Sequence, residues 1–296
     1  MSLAYRLAQS GTTLAKWTPE PVRHTLGSTI GAGSYLGWRS KRLVTRQNMA
    51  QVTGRDVKDP IVSRLALASW YNYGRYAADF MNFPNLNTRI LSERIRDLSE
   101  GGLTWRQHLE AALAPGKGAV FATAHFGNWD VAGAIVAQEV PLAAVAETFA
   151  DPRLNELLQS QRQDKGISII PMEGSARRIL RVFQQNQVVA IVTDRPMTPE
   201  TGVPITFFGR KTYVPGGTAA LALKAGAAII PGYIWYGLRG EYYLRAFKPI
   251  FPDPEAERKS EVQRLTQLSY NSLEIMIREW PSQWYMFRPF WPVSNV

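Results

Sequence analysis

The sequence contains no cysteine, which excludes disulfide bonds and catalysis by a thiol nucleophile. It has only three histidines and no His/Cys cluster with the spacing of a zinc site, so we expect neither a metal nor a bound cofactor. No run of about 18 consecutive apolar residues is present to span a bilayer, and no apolar core follows a basic start, as a secretory signal requires. These absences favour a location on the cytoplasmic side.

Acidic residues are outnumbered, since 24 aspartates and glutamates face 34 lysines and arginines and leave a net charge of +10. Such a surplus favours anionic partners, among them lipid headgroups, an acidic carrier protein, coenzyme A phosphates and nucleic acid. No nucleic-acid-binding motif occurs, so we expect no nucleic-acid partner.

The N-terminal segment has the pattern of a helix that lies on a membrane. Leu3, Leu7 and Leu14 fall on one helical face, and four cations follow within residues 39–46. An amphipathic segment next to a basic cluster is typical of binding in the plane of an anionic membrane. The alternative is that these helices pack on the rest of the protein and expose their charges. The first interpretation predicts a peripheral protein at the cytoplasmic face of the plasma membrane.

The chain is long and apolar enough to bury a full core, with 296 residues of which 45% are hydrophobic. Residues 1–100 are predicted to be mostly helical and to pack on an α/β domain at 101–296. Alternation of apolar strands with helices predicts a mostly parallel central sheet flanked by helices. We expect this architecture in a monomer. The predicted strands are 118–124, 141–146, 167–171, 188–193 and 228–235, with a further strand at 242–248 and a long helix at 255–279.

His125 and Asp130 are the first candidates for chemistry. His125 follows the apolar run 119–124, where a strand should end and a helix begin, which is a common place for a site on an α/β sheet. Gly127 and Asn128 are typical turn and N-cap residues, so a turn can bring the histidine and the carboxylate together. The histidine would act as a general base and Asp130 would orient it. The alternative is a buried histidine beside a capping aspartate.

Four blocks of sequence, in order, resemble one known family. His125 to Asp130 is similar to the H-x4-D motif of the glycerolipid and lysophospholipid acyltransferases. The fuller His-Phe-Gly-Asn-Trp-Asp resembles the branch that contains bacterial lipid A biosynthesis acyltransferases and phosphatidylinositol mannoside acyltransferases. The later blocks that agree with this branch are 194–196 with 202–209, then 215–219 with 229–231, and finally 280–288.

The resemblance implies transfer of a fatty acyl chain from an acyl-CoA or acyl-carrier-protein thioester to a hydroxyl of a membrane glycolipid. The closing segment has Met286-Phe287-Arg288 where lipid A enzymes carry His-Arg-Arg, which favours a phosphatidylinositol mannoside-like acceptor over a lipid A precursor. No Gly-x-Ser-x-Gly elbow occurs, so a serine acyl-enzyme is not expected. A thioesterase that uses the same His/Asp pair stays an alternative.

The resemblance and the predicted strand ends together indicate substrate-binding residues. Glu147 is implied to be an acid of the acceptor site, although it also suits a helix N-terminus, and Arg162 is implied to contact a phosphate or headgroup. Asp194 and Arg195 follow the strand at 188–193 and should face the same crevice. Spacing does not decide whether Asp194 or Glu200 is the functional acid of that loop. The backbone N–H groups near Gly127 and Asn128, or a cation, would hold the oxyanion.

Overall fold

The computed structural model describes residues 2–237 and 240–292. The helices in these ranges are α1 (Leu3–Trp17), α2 (Glu20–Gly37), α3 (Arg39–Thr53), α4 (Pro60–Met81), α5 (Thr88–Glu93), α6 (Trp105–Leu113), α7 (Trp129–Val136), α8 (Pro152–Gln163), α9 (Ser175–Gln184), α10 (Gly217–Ala225) and α11 (Arg258–Glu279). The strands are β1 (Ile95–Asp97), β2 (Ala119–Thr123), β3 (Leu142–Ala146), β4 (Ile167–Pro171), β5 (Val188–Val192), β6 (Val203–Phe207), β7 (Arg210–Val214), β8 (Ala228–Tyr236) and β9 (Tyr242–Ala246).

The central sheet is mostly parallel, as the sequence predicts, and helices flank it. Its strand order is β1-β9-β8-β2-β5-β3-β4, and among these pairs only β8 and β9 run antiparallel. The inner strands β2 and β5 have the sequences AVFAT and VVAIV, and an unbroken apolar run suits a strand that is covered on both faces. The protein therefore has an α/β fold.

Two features of the strand pattern differ from the prediction. Strand β1 lies within the segment expected to be mostly helical, and it pairs in parallel with β9 at the edge of the sheet. Three residues are too few to carry a strand signal, so the pairing itself stabilises β1. Strands β6 and β7 form a separate antiparallel hairpin that was not among the predicted strands. The sheet thus includes a strand from before residue 101.

The N-terminal helices pack closely on one another. A Cβ at Gly74 in α4 would overlap the carbonyl oxygen of Gly27 in α2, so the two helices approach more closely than larger residues allow. This packing leaves much of the apolar surface of α1 and α2 uncovered. None of the helices within the described ranges is both long enough and apolar enough to cross a bilayer.

The register of β2 and β5 determines which residues meet at the carboxyl edge of the sheet. The two strands are parallel neighbours, and Thr123, the last residue of β2, is paired with Val192, the last residue of β5. Residues at the same distance beyond these two ends therefore lie side by side. This edge forms the crevice in which open α/β sheets commonly place a site.

Candidate active site

His125 lies in a tight turn between β2 and α7. Gly127 has a φ of 58°, and a Cβ at this position would overlap the carbonyl oxygen of Ile234. Asn128 ends the turn as the N-cap of α7, where its side chain accepts a hydrogen bond of 3.2 Å from the Val131 N–H. The local sequence thus positions His125 as predicted, at a strand end and before a helix.

The acid that contacts His125 is Asp194. The Nδ1 atom of His125 lies 2.7 Å from Oδ1 of Asp194, and the backbone N–H of His125 donates to both carboxylate oxygens at 3.1 Å. Oδ2 also accepts a hydrogen bond of 2.9 Å from Nε1 of Trp284. Asp194 is completely buried, with an exposed fraction of 0%. The ring of His125 is therefore held in one orientation by a fixed acid.

This geometry corrects the predicted pairing of His125 with Asp130. Both His125 and Asp194 follow paired strand ends by two residues, so the register of β2 and β5 places them together. Asp130 belongs to the first turn of α7, beyond the bend at Gly127, and hydrogen-bonds elsewhere. Glu200, the other acid considered for this loop, is exposed to solvent. Asp194 is thus the residue of the three that contacts the imidazole.

The protonation state of the pair follows from its surroundings. Burial raises the pKa of the Asp194 carboxyl, but the charge of His125 and the hydrogen bonds from His125 and Trp284 outweigh it, so this pKa lies below its usual value. Asp194 is therefore ionised at neutral pH and accepts the Nδ1 hydrogen. In neutral His125 the lone pair then lies on Nε2, which has no hydrogen-bond partner among the described residues.

Asp130 forms a second buried cluster in the same crevice. Nε of Arg162 donates to Oδ1 of Asp130 at 2.6 Å, and the hydroxyl of Tyr76 donates to Oδ2 at 2.7 Å. Arg162 comes from α8 and Tyr76 from α4, so three helices contribute to this cluster. Burial lowers the pKa of the Arg162 guanidinium, but the charge of Asp130 and its hydrogen bond raise it by more. The pKa of Arg162 therefore lies above its usual value. Asp130 and Arg162 form a stable ion pair.

Glu147 and Arg195 also meet, as their positions at neighbouring strand ends predict. Nη2 of Arg195 lies 2.7 Å from Oε2 of Glu147, and the two side chains are 31% and 50% exposed. Strands β3 and β5 are adjacent, which brings the two residues together. Because this pair is open to solvent, both side chains are accessible to a substrate.

A cavity of about 330 Å³ joins these groups. Its polar lining includes His125, Asp130, Glu147, Arg162 and Arg195. A smaller apolar cavity of about 50 Å³ shares four of the lining residues and leads between the sheet and α7. The shared residues are Thr123, Trp129, Gly133 and Ala190. The structure thus places five of the six predicted site residues around one opening, and buries the sixth, Asp194, behind His125.

The predicted oxyanion donors are already used by the fold. The N–H of Gly127 donates to the Gln283 carbonyl at 2.9 Å, and the N–H of Asn128 donates to the Ile234 carbonyl at 3.2 Å. Neither group is free to bind a substrate oxygen. The sequence also suggested a cation as donor, and Arg195 is a cation that lines the cavity together with His125.

Sequence reasoning missed two residues of the site. The hydroxyl of Tyr76, in α4, contacts Asp130. Trp284 lies in the closing block 280–288, and it donates to Asp194 from more than eighty positions further along the chain. The resemblance of the closing block to the known family was a signal for Trp284, whereas Tyr76 carried none.

Comparison with known proteins identifies the family of the chain. Residues 6–292 match the family described as bacterial lipid A biosynthesis acyltransferase. A phosphatidylinositol mannoside acyltransferase of Mycobacterium tuberculosis is 34% identical over 83% of this chain and 76% of its own length. One from Mycolicibacterium smegmatis is 30% identical over 95% of this chain and 89% of its own length. The chain is therefore an acyltransferase that belongs to the bacterial lipid A biosynthesis acyltransferase family.

Proposed function

We propose that the protein transfers a fatty acyl chain from an acyl-CoA or acyl-carrier-protein thioester to a hydroxyl of a membrane glycolipid similar to a phosphatidylinositol mannoside. The observation that carries this proposal is the imidazole of His125, which a buried carboxylate orients and whose Nε2 atom is unpaired beside a cavity. The names of the relatives support the choice of acceptor. A lipid A precursor is the second candidate acceptor.

The proposed reaction needs few protein groups. Nε2 of His125 removes the proton of the acceptor hydroxyl as its oxygen attacks the thioester carbonyl carbon. Asp194 stays ionised and stabilises the imidazolium that forms. When the tetrahedral intermediate collapses, the C–S bond breaks and the imidazolium returns its proton to the thiolate. Arg195 is the cation that we assign to the developing oxyanion.

The cavity lining suits the two substrates in different ways. The half-exposed carboxylate of Glu147 can accept hydrogen bonds from sugar hydroxyls, which agrees with its implied place in the acceptor site. The apolar cavity beside Trp129 and Gly133 suits a hydrocarbon chain, because its lining exposes almost no polar atoms. Arg162 is fixed by Asp130 and contributes to the wall of the larger cavity.

The direct test is an acyl-transfer assay with the His125→Ala variant. Labelled palmitoyl thioester is incubated with purified phosphatidylinositol mannoside or with a lipid A precursor, and labelled lipid is separated and counted. Loss of the base is expected to lower kcat by about 10²–10⁴-fold. The thermal unfolding midpoint serves as the control for folding, since His125 is partly exposed. A folded variant with wild-type kcat would contradict the assignment, and acceptor-independent thiol release at full rate would indicate a thioesterase.

The membrane is the further proposed partner, and the uncovered face of α1 and α2 supports it. Large apolar side chains on these helices are exposed, in several cases by more than 60%: Leu3, Leu7, Leu14, Trp17, Val22, Leu26, Ile30 and Leu36. Burial of such side chains in the interface of a bilayer would remove this apolar surface from water. The basic cluster contributes less than its charge suggests, because Arg42 and Arg46 donate to backbone carbonyls. We place the protein at the cytoplasmic face of the plasma membrane.

The membrane proposal predicts a loss of vesicle binding in the variant Leu26→Ser/Ile30→Ser. Each side chain contributes roughly 1.5–3 kcal/mol when it is fully buried, so the partition coefficient should fall by about 10-fold or more. Cosedimentation with vesicles that contain an anionic lipid measures this coefficient. Ile275→Ser, which removes an exposed isoleucine from α11, is the matched control and should bind as the wild type does. Equal binding of all three proteins would exclude this face.

A further inference from the structure

Besides the cavity of about 330 Å³ (the first cavity) and its small apolar neighbour, a second large cavity is present, and it meets the first at His125. Its volume is about 340 Å³, and His125, Tyr73 and Arg195 line both cavities. The two cavities differ in charge. The first contains the carboxylates of Asp130 and Glu147, each paired with an arginine, whereas no acidic residue lines the second. The imidazole thus lies between an acid-lined cavity and one whose charged residues are all basic.

Three cations line the second cavity, namely Lys41, Arg195 and Arg288. Arg195 is paired with Glu147, but within the described part of the chain Lys41 and Arg288 form no ion pair and no side-chain hydrogen bond with another residue. Cations at the surface of a cleft are costly to hold together, because like charges repel one another. Two unpaired cations beside a catalytic base therefore indicate an anionic ligand.

The remaining walls suit a phosphate group. Helix α3 begins at Arg39 without a side-chain cap, and both Trp38 and Lys41 at this end line the cavity. The unpaired N–H groups and the dipole at a helix N-terminus favour a phosphate. Nζ of Lys41 lies 5.8 Å from the ring centroid of Trp38, whose side chain is 55% exposed and available to a flat or apolar part of a ligand. Trp70 and Phe287, whose ring centroids are 4.2 Å apart, form a fixed apolar wall.

We propose that this cationic cavity binds a phosphate ester of one substrate through Lys41 and Arg288, while the hydroxyl of the acceptor approaches His125 from the acid-lined cavity. The inference rests on the proposed function, because it identifies a group of the substrates of that same site. Both substrates carry such phosphates, the donor in its coenzyme or carrier arm and the acceptor in its headgroup. A phosphate in the cationic cavity and a hydroxyl in the other would both lie next to His125, without an anion beside a carboxylate.

The test compares the variant Lys41→Ala/Arg288→Ala with the wild type in steady-state kinetics. A charge-assisted hydrogen bond contributes enough that KM for the phosphate-bearing substrate should rise by about 10-fold or more, and kcat should change by less than about twofold. Raised salt should increase KM in the wild type more steeply than in the variant. Lys117→Ala/Lys224→Ala is the matched control, because it removes two exposed cations near the opposite edge of the sheet.

Substrates without phosphate identify the source of the group. With palmitoyl pantetheine as the donor, the variant and the wild type should have equal KM values if the phosphate belongs to the donor. With an alkyl mannoside as the acceptor, they should be equal if it belongs to the headgroup. Equal effects of the variant on all of these substrates, or no effect on any phosphate-bearing substrate, would overturn the proposal.

A binding experiment separates this inference from the proposed reaction. In the His125→Ala background, adenosine 3′,5′-bisphosphate and inositol 1-phosphate are titrated while tryptophan fluorescence is recorded. At least one probe should bind, and the added change Lys41→Ala/Arg288→Ala should weaken it by about 10-fold. If the probe binds in this way but the wild-type protein transfers no acyl group, the proposed reaction is refuted and the cavity proposal is supported. If the enzyme is active but its probe binding and its KM are unchanged by Lys41→Ala/Arg288→Ala, only the proposal for the cationic cavity is refuted.

Discussion

Asp194→Asn is expected to lower kcat by up to about 10⁴-fold, the size of the loss when the acid of a Ser-His-Asp triad becomes an amide. The reason lies in the 2.7 Å contact between Nδ1 of His125 and the carboxylate. An asparagine that turns its amide N–H₂ toward Nδ1 makes this atom an acceptor, so the hydrogen moves to Nε2. The imidazole then presents a hydrogen to the acceptor hydroxyl instead of a lone pair. Single-turnover acyl transfer at neutral pH measures the effect on chemistry.

Two variants control for this prediction. Glu200→Gln removes an exposed acid of the same loop that lies away from the imidazole, so its kcat should stay within about twofold of wild type. The second is Asp130→Asn, which should affect the reaction less than Asp194→Asn, since Asp130 contacts Arg162 and Tyr76 and leaves the ring of His125 in place. An ordering in which Glu200→Gln or Asp130→Asn is the slowest variant would contradict the role of Asp194.

Arg162→Met is expected to lower the free energy of unfolding by about 3–5 kcal/mol, because it leaves the carboxylate of Asp130 buried without its cation. The side chain of Asp130 is only 5% exposed, so water cannot replace the guanidinium. The double variant Asp130→Asn/Arg162→Met removes the charge as well, and the amide oxygen can still accept the hydroxyl of Tyr76. Most of the lost stability should therefore return in the double variant. Urea unfolding of the four proteins in this cycle measures the coupling.

The ion pair of Arg96 and Glu241 is the control for this cycle. Its N–O distance of 2.8 Å is similar, but the side chain of Arg96 is 63% exposed, so Arg96→Met should cost at most about 1 kcal/mol. Acyl transfer by the double variant adds a second readout. If stability returns while activity stays low, the pair of Asp130 and Arg162 also serves the substrate site. Equal unfolding free energies for Arg162→Met and wild type would show that the pair does not stabilise the fold.

Local sequence was enough to locate the turn that contains His125. The apolar run 119–124 predicts β2, and Gly127 and Asn128 predict the bend and the cap that the structure has. Glu147 and Arg195 were also predicted at strand ends, and their contact follows from the adjacency of β3 and β5. These predictions succeeded because each depends on a few neighbouring residues and on the general rule that parallel strands end at one edge of the sheet.

Only the tertiary structure shows which side chains of the site contact one another. Spacing along the chain favoured Asp130 as the partner of His125, whereas the neighbouring position of β5 and its register with β2 bring Asp194 to the ring. Arg162, Tyr76 and Trp284 reach the two carboxylates from three separate elements. Strand β1 likewise forms only through its pairing with β9.

The sequence by itself determined the strands, the turn at His125 and the supply of acids and cations at the strand ends, because these depend on local backbone preference and on burial of apolar runs. The tertiary structure decided which acid orients His125, which acid is neutralised by Arg162, and where the cations Lys41 and Arg288 lie together. Strand order and register set these distances, and hydrogen bonds and ion pairs form only between groups that the fold brings within about 3 Å.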